Sequence, residues 1–136
     1  MKKIYIAHST SFNFKNNLYS PIKNSSVNTQ NKITYPHETV KFINSKEIIK
    51  NSDVVIAEIS YPSTGEGIEL GWANIYKITI IFIYKQGSKI SNALRSLSKH
   101  FIVYKDSDEM IRKLIQVLQS IKIQVKKDGF GKMKVG

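Results

Sequence analysis

Four of the ten acidic residues, Asp53, Glu58, Glu66 and Glu69, fall in one short stretch of a chain that is otherwise rich in lysine. Carboxylate chemistry is therefore to be sought in residues 53–73, DVVIAEISYPSTGEGIELGWA. An apolar run, VVIAEI, leads into a loop, SYPSTGEG, and then into a helix whose pattern starts near Gly67 or Ile68 and carries Glu69 in its first turn. In open parallel sheets, ligands bind beyond the carboxyl ends of the strands, where amides of the next loop and helix point outward. Pro62, Ser63, Gly65 and Gly67 suit a tight turn that lets a ligand approach the main chain, and the Ser63 hydroxyl and exposed amides can donate to anionic oxygens. A carboxylate at a helix start is favoured in its ionised form, which suits a nucleophile or an electrostatic stabiliser. Glu69 fits that role; the alternative is a glutamate that only complements the helix dipole. Glu66 reads as an exposed loop acid, and Asp53 as the end of a helix-to-strand turn. Glu58 reads either as a strand-end residue near the pocket or as the partner of a lysine.

The elements that must position these groups follow from the apolar pattern. Short runs rich in β-branched and aromatic residues at 4–7, 54–59, 79–84 and 101–104 predict buried strands. Helical character lies between them at 38–50, 66–76, near 91–98 and at 107–121. The last is the clearest: Asp106 and Glu109 form a capping-box pattern, and Met110, Ile111, Leu114, Ile115, Leu118 and Ile121 follow at helical spacing. Alternating strands and helices imply a mostly parallel sheet covered on both faces. Residues 9–35, rich in Asn, Ser and Lys, read as a short helix around 14–19 with a strand near 33–35, or equally as a long loop. After Ile121 the sequence KIQVKKDGFGKMKVG interleaves glycine with lysine, and a mobile basic tail is expected over 122–136.

Composition narrows the function classes. A chain of 136 residues is the size of one ordinary domain. Without cysteine, disulfide frameworks and thiolate catalysis are excluded, and His8, His37 and His100 are too scattered for a histidine metal cluster, so neither a metal nor another cofactor is assigned. The opening MKKIYIAHS has too short an apolar run for a signal peptide, and no run approaches a membrane span, so a soluble cytoplasmic protein is expected. The net charge of +11 invites a nucleic-acid reading. However, the lysines are spread along the chain, with one local basic cluster at 122–134, and no nucleic-acid motif accompanies them. A solvated basic surface that draws in an anionic small molecule is the expectation.

At SDVVIAEISYPSTGEGIELGWA the chain resembles the nucleoside 2-deoxyribosyltransferase family, closest to its branch of 2′-deoxynucleoside 5′-phosphate N-hydrolases, in which a strand of the type DVVVAE precedes P-S-x-G-x-G-x-E-L-G-x-A. The match is long and ungapped. IYIAHS resembles the family's first strand and following turn, and SNALR a short motif after a later strand. The resemblance extends to about Ile121, interrupted between Thr10 and Val40. It implies a single flavodoxin-like, doubly wound α/β domain over residues 1–121, with strand order 2-1-3-4-5. It implies that Glu69 is the nucleophile that attacks the anomeric carbon, and that Tyr5 lines the pocket and orients it, although a core aromatic is an equal reading of Tyr5. Ser9, Ser63, Gly65 and Gly67 match positions around the sugar and 5′-phosphate, where the glycines could also serve the turn alone. Ser91 matches a serine that reaches a neighbouring subunit's site, which implies a homodimer, or it caps a short helix.

One position departs from the family. Where it places an aspartate that positions and protonates the departing base, this chain has Ser45. Loss of a proton donor costs on the order of a hundredfold or more in rate. His8, where the family tends to have a small residue, could narrow the pocket, supply the missing proton, or be a plain turn histidine. The resemblance implies hydrolysis of 2′-deoxynucleoside 5′-monophosphates. Base exchange between deoxynucleosides, or non-catalytic nucleotide binding at a degraded site, are the alternatives.

Overall fold

The computed structural model describes residues 1–121. The basic tail expected over 122–136 lies outside the described residues. The chain order is β1 (Lys3–His8), a π-helical turn (Lys15–Tyr19) running into α1 (Ser20–Lys23), α2 (Ser26–Thr29), β2 (Lys32–Thr34), α3 (Ser45–Lys50), β3 (Val54–Glu58), α4 (Thr64–Ile75), β4 (Thr79–Lys85), a 3₁₀ turn (Asn92–Ser96), β5 (His100–Tyr104) and α5 (Ser107–Ser120). The five strands are all parallel and lie in the order β2-β1-β3-β4-β5, the doubly wound arrangement expected.

Because side chains alternate along a strand, each of the three central strands feeds two cores. Ile4, Ile6, Val54, Ile56, Ile81 and Ile83 pack beneath α1, α2 and α5, where Leu18, Ile22, Met110 and Leu114 close the layer. Tyr5, Ala7, Val55, Ala57, Ile80 and Phe82 point the other way, onto Ile49 of α3 and Leu70 and Ala73 of α4. Burial on both faces explains why the strands read as nearly continuous apolar runs. The same alternation sends neighbouring residues of β1 to opposite faces: Tyr5 goes toward α3 and α4, His8 toward α1.

Three expected boundaries move, each for a local reason. The helix read over 38–50 is confined to Ser45–Lys50, because the Asn44 side chain caps it by accepting from the Glu47 amide at 3.2 Å. The helix read from Gly67 or Ile68 instead starts at Thr64, with Ser63 as its cap accepting from the Glu66 amide at 3.3 Å. Glu69 therefore lies in the second turn. The loop-or-helix segment 9–35 contains the π turn, α1, α2 and the short strand β2. Asp53 fixes the opposite, amino-terminal rim of the sheet: its carboxylate accepts from the Lys3 amide at 2.8 Å, and its own amide donates to the Lys3 carbonyl at 2.8 Å.

Candidate active site

The sheet order reverses between β1 and β3, where one connection leaves toward β2 and the next toward β4. A crevice opens outside the carboxyl ends of the strands at such a point. Three residues from three elements meet on its α3–α4 side. Tyr5 of β1 donates its phenolic proton to Glu69 Oε2 at 2.5 Å, and its oxygen lies 3.0 Å from Ser45 Oγ at the start of α3. A phenol has one proton, so with Tyr5 donating to the carboxylate, Ser45 is the donor to the phenolic oxygen. Tyr5 is completely buried and its pKa is raised well above the usual tyrosine value, by burial first and then by the Glu69 charge. It stays a phenol at any working pH. Glu69 is only partly buried. Burial raises its pKa from 4.5, and the hydrogen bond from Tyr5 opposes that rise. The geometry thus holds a partly exposed carboxyl group in one orientation, where the Tyr5 hydrogen bond favours the ionised form and burial opposes it.

The amino terminus of α4 supplies the second part of the crevice. Gly65 and Gly67 have no positive φ and lie inside the helix, not in the preceding turn. A Cβ at either would meet nothing within 4 Å. Glycine in a helix costs about 1 kcal/mol relative to alanine, and at these two positions neither backbone conformation nor packing requires it. What the two glycines leave is unobstructed approach to the main chain of the first turn, beside the Ser63 hydroxyl.

Glu66 overturns its expectation as an exposed loop acid. Lying in the first turn of α4, it shares a stripe with Leu70 and Ala73 that faces the sheet, and it is 5% exposed. Its Oε2 has no hydrogen-bond partner. Burial, reinforced by the charges of Glu58 and Glu69, pushes its pKa from 4.5 up to about 9, so it is a neutral acid at pH 7.

The other face of the same rim is closed. His8 is 4% exposed. Its Nδ1 lies 2.7 Å from the Ser9 carbonyl, which fixes the proton there, and its Nε2 accepts from the Tyr19 hydroxyl at 2.6 Å. The Tyr19 oxygen in turn accepts from the His37 amide at 2.9 Å. Phe12, Phe14 and Tyr19 surround the ring. Burial lowers the His8 pKa to about 4. With both nitrogens engaged and the ring neutral, His8 is neither an exposed turn residue nor a source of the missing proton; it organises the turn after β1. Glu58, paired with His8 in the strand register, resolves as a buried strand-end carboxylate. It accepts from the Ser60 amide at 2.6 Å, from the Ser60 hydroxyl at 2.9 Å and from the Tyr104 hydroxyl.

Neither Ser9 nor Ser91 is hydrogen-bonded to Tyr5 or Glu69. Ser9 is buried, with its hydroxyl in a turn with Ser11. Ser91 is exposed and caps the 3₁₀ turn by accepting from the Ala93 amide at 3.3 Å. Sequence reasoning missed Glu66, Tyr19 and Tyr104, and it missed the stacked rings of Phe12 and Tyr61, whose centroids are 4.7 Å apart. Ser63-Thr64-Gly65-Glu66 is itself a capping-box pattern, and it was the signal that could have moved the helix start and put Glu66 on the buried stripe. Among the described residues, no group of three or more His, Cys, Asp or Glu could hold a metal, and no helix is long and apolar enough to cross a membrane.

No protein-family model and no curated protein sequence matches this chain. Solved structures do. The Clostridium botulinum CMP N-glycosidase BcmB aligns with a TM-score of 0.63 at 23% identity, over 84% of this chain and 99% of that one. A conserved protein from Enterococcus faecalis aligns with a TM-score of 0.57 at 14% identity, over 86% and 99% of the two chains. A 2-deoxyribosyltransferase from Bacillus psychrosaccharolyticus gives 0.55 at 22%, over 79% and 89%. At these identities the likeness is one of fold: an α/β domain with a five-stranded parallel sheet in the order β2-β1-β3-β4-β5.

Proposed function

We propose that this protein hydrolyses the N-glycosidic bond of 2′-deoxynucleoside 5′-monophosphates, with Glu69 as the nucleophile. The observation that carries the reading is the Tyr5–Glu69–Ser45 constellation: a partly exposed carboxylate, oriented by a phenol that cannot ionise, at the switch point of a parallel sheet. The occurrence of this fold in a CMP N-glycosidase and a 2-deoxyribosyltransferase supports glycosyl-bond chemistry on nucleosides or nucleotides.

Glu69 attacks C1′ of the sugar. A carbon–oxygen bond forms, the C1′–N bond breaks with its electron pair passing to the base, and the base takes up a proton. Water then cleaves the glycosyl ester, giving a free base and deoxyribose 5-phosphate with net retention at C1′. Without a 2′-hydroxyl the sugar reaches oxocarbenium character more readily, so positioning and one carboxylate go far. Ser45, where the related family has an aspartate, is a hydroxyl and not an acid, so the proton taken up by the base comes from solvent water. The first turn of α4, with Ser63, Gly65 and Gly67, takes the 5′-phosphate, as helix amino termini favour anions. Ser9 supports the turn after β1, and exposed Ser91 reaches the site of a second subunit in a homodimer.

The test is chromatographic resolution of the bases released from the four 2′-deoxynucleoside 5′-monophosphates and from the corresponding deoxynucleosides. Release from the monophosphates is expected, and Glu69→Ala should lower it on the order of a thousandfold or more. Transfer of the sugar to an added base without hydrolysis would replace hydrolysis by base exchange through the same intermediate. Binding without turnover of any substrate would overturn both.

A further inference from the structure

Glu66 is left without a function by that reading. Its side chain is 5% exposed, on the stripe of α4 that packs against the sheet, and Oε2 has no hydrogen-bond partner. The charges that act on it are those of Glu58 at the end of β3 and of Glu69 on α4 itself. Behind Glu58 stand Tyr104 of β5, Ser60 and the Lys85 charge of β4; behind Glu69 stand Tyr5 of β1 and Ser45 of α3. Each of those neighbours serves Glu58 or Glu69, and among the described residues Glu66 has no ion pair. A carboxyl group removed from water, with two other acidic groups acting on it through space and no hydrogen-bond donor, retains its proton.

The position of this acid matters as much as its state. Glu66 belongs to the turn that offers its main chain to the substrate phosphate, and its own amide is the one that the Ser63 side chain caps. We infer that Glu66 gates the 5′-phosphate by charge: a phosphate dianion occupies the α4 amino terminus when Glu66 is a neutral acid, and ionisation of Glu66 expels it. A substrate ending in an uncharged 5′-hydroxyl is insensitive to the gate. The only bond that changes is O–H: when a dianion binds the ionised form, one proton passes from solvent to the Glu66 carboxylate. The inference rests on the proposed reading that the first turn of α4 receives the 5′-phosphate.

The expected signature is a KM for the monophosphate that is flat near neutrality and rises about tenfold between pH 8 and pH 10, for a gate ionising at about 9. The phosphate is dianionic throughout, since its second ionisation lies at about 6. The KM of the corresponding deoxynucleoside, which lacks the phosphate, stays flat over the same range. Glu66→Gln, a neutral isostere of the protonated acid, should abolish the rise for the monophosphate. A second measurement needs no variant: calorimetry of deoxyribose 5-phosphate binding to the wild-type protein in buffers of different ionisation heat. It should show uptake of about half a proton at pH 9 and none at pH 7. An equal rise for nucleoside and nucleotide, a rise that persists in Glu66→Gln, or binding at pH 9 without proton uptake would overturn the gate. So would failure of deoxyribose 5-phosphate to bind at pH 7. If deoxyribose 5-phosphate binds with the expected uptake but no nucleotide is cleaved, the gate stands and the glycosidase reading falls.

Discussion

Two tyrosine–glutamate pairs stand at the carboxyl-terminal rim of the sheet, one on each face. Tyr5 and Glu69 meet on the α3–α4 side, and Tyr104 and Glu58 meet on the α5 side. The chemistry of contact is the same, a buried phenol donating to a carboxylate, but the surroundings differ. Glu58 is 1% exposed, and Ser60 adds two further donors to the one from Tyr104. Such a carboxylate is saturated and has no face left for a ligand. Glu69 is partly exposed, with Tyr5 holding one oxygen and Ser45 alongside. A carboxylate that is oriented but not saturated can form a new bond. The comparison separates a group that secures the rim from one that can react, although both are glutamates beside tyrosines and both have pKa values raised by burial.

Substitutions on the two sides should split activity from stability. The largest effect is the loss of base release in Glu69→Ala, and because Glu69 is partly exposed, its denaturation midpoint should stay close to the wild type. Tyr5→Phe should come next, lowering kcat by about ten- to a hundredfold. It also removes the hydrogen bond that holds the Glu69 pKa down, so the acid limb of the kcat/KM profile should move to higher pH. The sign follows from the nucleophile acting as a carboxylate: raising its pKa narrows the pH range in which it is ionised. A lower kcat with an unmoved acid limb would mean that Tyr5 serves packing alone. Tyr104→Phe should have the opposite profile. Less than about a twofold change in kcat is expected, with a loss of roughly 1–3 kcal/mol in denaturant unfolding, since a buried carboxylate loses one of its donors. A large drop in kcat for Tyr104→Phe at unchanged stability would erase the distinction between the two pairs.

Much of this architecture was legible in the residues. Short, nearly continuous apolar runs rich in β-branched residues marked the four principal strands. The long match through P-S-x-G-x-G-x-E-L-G-x-A carried the doubly wound order and pointed to Glu69, and the Ser45 position does meet Tyr5 in space. What was not legible has a physical explanation in each case. β2 has three residues, none of them fully buried, so the strand read near 33–35 could not be told from a loop. The fate of His8 depended on Tyr19 and Phe14, which follow it through a π-helical turn that no short-range pattern announces. Glu66 was misread because a helix start drawn three residues late placed it in a loop. Moving the start to Thr64 turns it onto the buried stripe with Leu70 and Ala73, and what reads as a solvated acid becomes a neutral one. The saturation of Glu58 required β5, far along the chain, to bring Tyr104 alongside β4 and within reach of β3.

The central claim is that Glu69 bonds to the sugar. Mass spectrometry of the protein, quenched in acid during turnover of a 2′-deoxynucleoside 5′-monophosphate and then digested, tests it most directly. One deoxyribose phosphate is expected on the peptide that contains Glu69, attached at that carboxylate and absent from Glu69→Ala. An adduct on any other residue, or undiminished base release by Glu69→Ala, would contradict it.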